Sequence, residues 1–410
     1  MIVGKSQNEQ FFVTLLFVFF NYYNPLSVVL TLVVNTGLLM IFLFFNYRKR
    51  GISVGQDGFV IYISAFVLFW TLMIVFLRMG TDFYVLGKYT RVFIATVYIF
   101  MLCALINITP RTLRKVISVI FFLHLLAIIA QTAFPSINIV MASVFGMSNS
   151  SEFFLEYKNR KMGLSSSFDT ASLISVAAMV FYFINYQVFR YKYYLLLILF
   201  ACLCWTMSSR TGMVLGALFF LYFVFDTFKS SGVGMKMFFL LFGCGCLYLG
   251  YQLLLPIFSH TFELELVNST QSSVTKEYGT SGSLDHLFGS HLNLLFHLNV
   301  FDFIFGLGVD PDGTDIGYVK FIYHVGFVGS IAIFSIYIIS FYKVISISRK
   351  TNNSDVYVLA RFLTFYILLL FIMNYKSLEM YSRGSHELLL ILFFYLNTFL
   401  GVEKYNDRKK

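Results

Sequence analysis

The sequence predicts an all-α fold, a polytopic bundle of about twelve transmembrane helices, on the basis of three observations. Of the 410 residues, 58% are hydrophobic and only 12% are charged, and the mean hydropathy is +0.77. A soluble globular protein carries about 25% charged residues, roughly twice this share. The apolar residues also form many separate stretches that are long enough to cross a hydrocarbon core of about 30 Å. A water-soluble protein, or a soluble domain with a single anchor, is therefore excluded.

Twelve apolar stretches are spread along the whole chain. As helices that rise about 1.5 Å per residue, the longer ones each cover the hydrocarbon core. The first stretch is as apolar as the core of a signal peptide, but no small-residue cleavage site follows it, and we interpret it as an uncleaved span. The eleventh carries Arg361 near one end. The predicted spans are residues 11–23, 26–46, 59–77, 92–108, 116–134, 171–188, 193–207, 211–228, 238–255, 318–342, 356–373 and 388–402.

The positions of the charged residues predict the orientation of these spans. If the N-terminus is cytoplasmic, 19 of the 30 basic residues lie on the cytoplasmic side, whereas 14 of the 20 acidic residues lie on the other side. This is the distribution that the positive-inside rule requires. The net charge of +10 is then +13 inside and −3 outside, so no nucleic-acid partner is needed to explain it. We expect a multi-pass protein of the bacterial inner (cytoplasmic) membrane with both termini in the cytoplasm.

Two of the predicted connections are much longer than the others. We expect one integral membrane domain over residues 1–410, with a periplasmic loop at 135–170 and a larger periplasmic loop, with short helices, at 256–317. Loops longer than about 15 residues usually carry function. The cytoplasmic side has no Gly-x-x-x-x-Gly-Lys-Ser/Thr phosphate loop and no soluble domain for a nucleotide. The chemistry is therefore predicted to be periplasmic and independent of ATP.

The cysteines give no indication of a metal or a disulfide framework. All five lie inside predicted spans, and the two Cys-x-Cys pairs have no further Cys or His at metal-ligand spacing. We interpret them as small core residues and expect no metal and no cofactor. They are Cys103, Cys202, Cys204, Cys244 and Cys246.

Three cations at the predicted periplasmic ends are candidates for an anion site. Arg160 and Lys161 end the first long loop, against the positive-inside trend, and anchoring of the loop surface is the alternative. Arg210 lies in the short turn between two spans, where a charge usually has a partner or a ligand, although snorkelling to the interface is the alternative. Guanidinium and ammonium groups are the side chains that bind phosphate.

The second long loop contains a predicted helix at residues 283–305. At about 100° per residue, His286, Ser290, Asn293 and His297 form one polar stripe, and leucine and phenylalanine cover the other side. Such a helix would lie on the membrane surface with its polar stripe towards a cavity. An ordinary solvated face is the alternative.

A glycine-rich segment, residues 305–318, follows this helix. Its four glycines and three aspartates predict a tight turn that exposes its backbone and brings Asp315 to the membrane surface. Its Asp-x-Asp-Gly sequence is shared with calcium loops, but the twelve-residue spacing and the terminal Glu of such a loop are absent. Calcium is therefore a weak alternative.

These motifs, in this order, resemble those of the O-antigen polymerase and ligase superfamily, the Wzy and WaaL type. The similarity rests on Ser209-Arg210-Thr211-Gly212 at the start of a mid-chain span and on Arg160-Lys161-Met162-Gly163-Leu164 before an earlier span. It also rests on Ile304-Phe305-Gly306-Leu307-Gly308, followed by Asp315 and by Tyr323-His324-Val325-Gly326-Phe327-Val328-Gly329. The architecture is similar along the whole chain, whereas the motifs cover a small part of it.

Within the superfamily, the resemblance is closer to the polymerases. Ligases typically place a His-Asn pair eleven residues before the first glycine of the Gly-x-x-Gly segment. Here that position, counted back from Gly326, is Asp315, and Tyr318 follows three residues later, as is common in polymerases. An arginine is often found upstream of the Phe-Gly-x-Gly turn, but here that region carries His286.

The resemblance implies a metal-independent glycosyltransferase of lipopolysaccharide biosynthesis that joins undecaprenyl-diphosphate-linked repeat units and releases undecaprenyl diphosphate. Arg210 and Arg160, with Lys161 in support, would neutralise the diphosphate, and Asp315 or His286 would be the general base. The expected partners are the lipid-linked oligosaccharides and membrane lipid, and a chain-length regulator protein is a further candidate. The expected sugar-binding residues are His297, Ser290, Asn293 and Tyr318.

Three alternatives stay open. An O-antigen ligase would transfer the finished polymer to another acceptor. A polysaccharide or lipid-linked-oligosaccharide transporter would be expected to carry charges at the membrane midplane and two related halves. A channel or another structural membrane protein is the third alternative.

Overall fold

The fold is all-helical in the computed structural model, which describes residues 7–23, 29–30, 33–37, 40, 58–78, 83–105, 108–134, 136–137, 161–165, 167–230, 291–311, 314, 316–382 and 384–407. No strand occurs among these residues, which confirms the all-α prediction. The helices, numbered along the chain, are α1 (Gln7–Tyr23), α2 (Phe59–Leu77), α3 (Phe83–Leu105), α4 (Pro110–Ala133), α5 (Phe168–Phe189), α6 (Tyr193–Ser208), α7 (Arg210–Ser230), α8 (His291–Phe296), α9 (Val300–Phe305), α10 (Gly317–Lys350), α11 (Ser354–Met373) and α12 (Ser385–Asp407).

The chain is a helical membrane protein. Six helices, α2 to α5, α10 and α11, are long and apolar enough to cross a membrane, and α1, α6, α7 and α12 contain shorter apolar stretches. The predicted span 26–46 lies mostly, and the span 238–255 entirely, outside the described residues. The number of about twelve spans and the periplasmic location of the two long loops therefore stay predictions.

Where the structure describes them, the predicted spans coincide with helices, several of which begin earlier or end later than predicted. The third predicted span has the bounds of α2. The fourth is predicted to begin at residue 92, but α3 begins at Phe83. The additional turns carry Lys88 and Arg91, and Arg91 is buried against α12.

The helix ends meet at two opposite ends of the bundle. We call the end at which α10 begins the upper end and the opposite end the lower end. Among the described residues, each ion pair of a lysine or arginine with a carboxylate joins residues that the charge distribution assigns to the same side of the membrane, which agrees with the predicted alternation of the spans. They are Arg78–Asp302, Arg91–Glu387 and Lys320–Asp310 at the upper end, and Arg114–Asp355 and Arg361–Asp226 at the lower end.

The lower end is fastened by Arg114 of α4. Its guanidinium donates to Asp355 Oδ1 of α11 over 2.5 Å, and to Asn185 Oδ1 of α5 and the Tyr194 hydroxyl of α6 over 2.8 Å each. Phe189 lies 4.1 Å from the same group, measured from Cζ to the ring centroid. Four helices are thereby joined by one buried cation whose donors are used within the protein, so we assign Arg114 a structural role.

Helix α10 is broken at Gly326. The φ and ψ angles there are 67° and −177°, in a region that residues other than glycine rarely adopt. The carbonyl groups released by the break have partners: Tyr323 O accepts from Leu307 N over 2.8 Å and from Gly308 N over 3.0 Å. Val325 O accepts from Trp70 Nε1 over 2.9 Å. Non-helical backbone is tolerated at membrane depth only where protein or a cavity covers it, and here protein covers it.

The predicted helix at 283–305 is wrong in its described part, residues 291–305. The chain forms two short helices there, α8 and α9, with a turn at 297–299 between them. The Asn299 side chain accepts from Asp302 N over 2.7 Å and so caps the start of α9. Phe303 of α9 stacks on Phe327 of α10, with ring centroids 5.7 Å apart. The polar stripe therefore does not continue to His297, which is exposed in the turn.

Gly326→Ala should destabilise the protein. A Cβ atom at this position would lie 2.3 Å from Ile304 O and 2.5 Å from Gly306 N. Residues other than glycine pay about 1–3 kcal/mol for this backbone conformation, and overpacking costs about 1–3 kcal/mol more. Thermal unfolding in detergent should show a lower midpoint than the wild type. Gly87→Ala is the control, because a Cβ atom there meets nothing within 4 Å; equal midpoints for the two variants would contradict this account of the break.

Candidate functional site

The upper end gathers charged side chains from α3, from the glycine-rich segment and α10, and from the connection between α11 and α12. We call this set the upper cluster. It consists of Lys88, Arg91, Asp310, Lys320, His324, Glu379 and Glu387.

Asp310 and His324 form the most specific contact of the upper cluster. The imidazole Nε2 lies 2.8 Å from Asp310 Oδ1, and Nδ1 lies 3.3 Å from the Tyr89 hydroxyl. With Nε2–H donating to the carboxylate, the neutral ring accepts from the tyrosine hydroxyl at Nδ1. The His324 side chain is 0% exposed, whereas that of Asp310 is 31% exposed. Asp310 is therefore the member of the pair that solvent or a ligand reaches.

Two lysines surround the carboxylate of Asp310. Lys320 Nζ lies 3.5 Å from Asp310 Oδ2, and the charge of Lys88 acts on the same group. Burial by itself would raise the pKa of Asp310, but the hydrogen bond from His324 and the positive charges of Lys320 and Lys88 together lower it below its usual value. Asp310 is thus held as a carboxylate.

Arg91 and Glu387 form a buried ion pair with a structural role. Arg91 NH1 lies 3.1 Å from Glu387 Oε1, and each side chain is 3% exposed. Arg91 NH2 also donates to Tyr381 O over 2.8 Å, and Gly384 N donates to Glu387 Oε2 over 2.7 Å. The pair therefore fixes the connection between α11 and α12 against α3, and removal of one partner would leave a buried charge.

Glu379 lies in the same connection and is surrounded by hydroxyl groups. Its Oε1 accepts from Thr170 Oγ1 over 2.9 Å and from Ser377 Oγ over 3.1 Å. Its Oε2 accepts from Ser382 Oγ over 2.9 Å and from Ser385 Oγ over 3.3 Å. Burial raises the pKa of Glu379 above the ordinary value, although several of these hydrogen bonds oppose the increase. The carboxyl group ties the connection to the start of α5.

The structure brings the two predicted cationic motifs together at the upper end. Lys161 N donates to Met207 O over 3.0 Å, three residues before Arg210 in the chain. Ser209 Oγ donates to Ser172 Oγ of α5 over 3.0 Å, which holds the start of α7 against the start of α5. Lys161 is buried, and burial lowers the pKa of its ammonium group.

The remaining predicted site residues are described only in part. Tyr318 is half-buried near the start of α10, and its hydroxyl donates to Phe371 O of α11. Arg210 begins α7 and Asn293 lies in α8, but their side chains are outside the described part of the structure. The residues that lie wholly outside it are Arg160, His286, Ser290 and Asp315. Neither base candidate from the sequence is therefore placed.

No motif in the sequence predicts a role for Asp310, His324, Lys320 or Lys88 individually. Asp310 lies in the glycine-rich segment and His324 in the Tyr323–Gly329 motif, so both belong to segments with a recognisable pattern. Their pairing depends on how α10 bends, which no local spacing shows. For Lys88 the available signal is a charge just before an apolar stretch, at a predicted outer end with few other cations.

No group of three His, Cys, Asp or Glu side chains that could hold a metal ion occurs among the described residues. Cys103, Cys202 and Cys204 are buried in the core and form no disulfide bond, while Cys244 and Cys246 lie outside the described ranges. The absence of a metal cofactor stays a prediction.

Comparison with known proteins gives no further assignment. No protein-family model, no curated protein and no solved structure matches the chain. The resemblance therefore rests on the motifs themselves.

Glu379 should make the stability of the protein depend on pH. A carboxyl group whose pKa is raised by folding contributes stability at pH values below its pKa in the unfolded chain, which is near 4.5. This contribution is lost as the pH rises through the raised pKa of the folded state. As the pH rises above about 4.5, the unfolding midpoint of the wild type should therefore fall relative to that of Glu379→Gln, which stays neutral. The midpoints are measured by thermal unfolding over a series of pH values. If they changed in parallel for the two proteins, the raised pKa of Glu379 would be contradicted.

Proposed function

We propose that the chain is a Wzy-type O-antigen (surface polysaccharide) polymerase. It would join undecaprenyl-diphosphate-linked repeat units at the periplasmic face and release undecaprenyl diphosphate. The observation that carries this proposal is the contact between Lys161 N and Met207 O, which brings the two cationic motifs of the resemblance to one end of the bundle. The predicted orientation assigns that end to the periplasm.

The departing diphosphate needs positive charge, because the leaving group takes the electron pair of the broken glycosidic bond. Lys161 lies next to the end of α6, and Arg210 is the first residue of α7. A helix N-terminus favours an anion, and a basic side chain at the same point adds a full charge. We therefore assign the diphosphate to the region around Lys161 and Arg210, with Arg160 contributing from the preceding residue in the chain.

The acceptor sugar needs a carboxylate or imidazole at the same end. The resemblance implies Asp315, and the described residues on either side of it, Thr314 and Ile316, are buried near the start of α10. Gly317 N donates to Asn374 O over 2.9 Å, which fixes this region to the connection that carries Glu379. The connection also contacts α3 and α5, so the donor and acceptor regions share one rigid neighbour.

A lipid-linked-oligosaccharide transporter is the second candidate, because broken membrane helices such as α10 are common in transporters. In transporters, carbonyl groups at the break bind the coupling ion. Here the carbonyls of Tyr323 and Val325 already accept from protein donors. The polymerase reading is therefore better supported. An O-antigen ligase has no structural observation of its own in its favour.

Deletion of the gene should leave lipopolysaccharide with single repeat units on the lipid-A core, because ligation continues when polymerisation stops. Lipopolysaccharide resolved on a gel measures this directly. Complete loss of repeats would indicate a ligase instead, and an unchanged ladder would contradict both enzymatic functions.

Arg210→Ala, expressed in the deletion strain, should not restore the ladder. Loss of one group that stabilises developing negative charge costs about 10²-fold or more in rate. Arg111→Ala is the matched control. Arg111 is exposed at the lower end of α4, and its replacement removes the same charge from the opposite end of the bundle. A full-length ladder with Arg210→Ala at normal protein level would refute the role of Arg210.

A further inference from the structure

Asp310 is held in one position by the break in α10. The turn that precedes it donates from Leu307 N and Gly308 N to Tyr323 O. His324, the next residue after Tyr323, is bonded to the Asp310 carboxylate over 2.8 Å. The hydrogen bonds to Tyr323 O and the bond from His324 therefore hold the two members of the pair together. A catalytic group needs this kind of preorganisation.

The two side chains of the pair differ in burial, and the carboxylate is the exposed one. His324 is fully buried, with both ring nitrogens engaged by Asp310 and Tyr89, so it has no free atom for a substrate. Asp310 Oδ1 faces the histidine, while Oδ2 lies 3.5 Å from Nζ of Lys320, whose side chain is partly exposed. Asp310 is thus the reachable group, and the histidine supports it from behind.

We infer that Asp310 is the carboxylate that receives the proton of the incoming sugar hydroxyl, and that His324 and Tyr89 are its positioning residues. This inference rests on the proposed polymerase function. It differs from what the resemblance implies, because the resemblance places the base at Asp315.

One glycosyl transfer forms one bond and breaks one bond at the anomeric carbon. The acceptor oxygen forms a bond to the anomeric carbon of the donor sugar, and the bond from that carbon to the diphosphate oxygen breaks. The diphosphate leaves with the electron pair, and the hydroxyl proton moves to Asp310 Oδ2, from which water later removes it. Because the hydroxyl becomes acidic as its bond to carbon forms, a carboxylate that is ionised at neutral pH is a competent base.

The charges around Asp310 suit this role. His324 and Lys320 face it from α10, Lys88 acts on it from α3, and Tyr89 of α3 lies behind the histidine. The hydrogen bond from His324 and the charges of the two lysines hold the pKa of Asp310 below its usual value, so the carboxylate is ionised.

The first test uses Asp310→Asn, with Asp302→Asn as the matched control. Asp302 is an aspartate of the same region that pairs with Arg78 on the far side of α9. Membrane vesicles that contain each variant are supplied with a synthetic undecaprenyl-diphosphate-linked repeat unit, and chain lengths are measured. Asp310→Asn should lose at least about 10²-fold in rate, the range for a lost general base, whereas Asp302→Asn should stay within a few-fold of the wild type. Wild-type rates with Asp310→Asn would overturn the inference.

The second test separates a positioning role from a purely structural one and does not depend on Asp310→Asn being folded. His324→Gln keeps a donor towards Asp310, whereas His324→Leu removes it. The acid limb of the pH–rate profile should move to higher pH in His324→Leu, because the pKa of Asp310 rises without the imidazole, and His324→Gln should move it less. A profile that keeps its position in both variants would overturn the inference.

Failure of the inference and failure of the polymerase function give different results. If the wild-type vesicles form no oligomers, the proposed function is wrong, and the role of Asp310 falls with it. If the wild type polymerises and Asp310→Asn does so equally well, only the role of Asp310 is wrong.

Discussion

The pairing of every backbone amide and carbonyl within the membrane is the constraint on which the described structure depends. Gly326 breaks α10, a helix long and apolar enough to cross a membrane, and hydrocarbon offers no hydrogen bond to carbonyl groups that are released within it. Trp70 and the turn at Leu307 and Gly308 therefore have to cover the break. The same requirement brings the glycine-rich segment against α10 and so places Asp310 beside a buried histidine. The position of the candidate base is a consequence of how the helix break is covered.

Charge has a different role at each end of the bundle. At the lower end, Arg114 uses its donors on three neighbouring helices, and no reactive group results. At the upper end, the Arg91–Glu387 pair and the hydroxyl shell of Glu379 hold the connection between α11 and α12 in place. With that connection fixed, Asp310 is left as a partly exposed carboxylate between two lysines. Buried pairs thus supply rigidity, while a partly exposed group supplies the chemistry.

The sequence predicts the helices well because apolar runs between charged or glycine residues have few alternatives, as for α2, which lies between Gly58 and Arg78. The start of α3 is missed because Arg91 is buried with a partner 296 positions away in sequence. The helix predicted at 283–305 is interrupted because Asn299 caps a new helix. The sequence also indicates that Lys161 and the Arg210 motif share a side of the membrane, but their contact and the Asp310–His324 pair arise only from tertiary packing.

The most direct test of the account uses the purified chain in lipid nanodiscs with one synthetic undecaprenyl-diphosphate-linked repeat unit as its only substrate. The account predicts a ladder of lipid-linked oligomers, with one undecaprenyl diphosphate released for each new glycosidic bond, without added nucleotide. If the folded protein consumed no substrate, or formed no oligomer longer than one repeat, the result would contradict it.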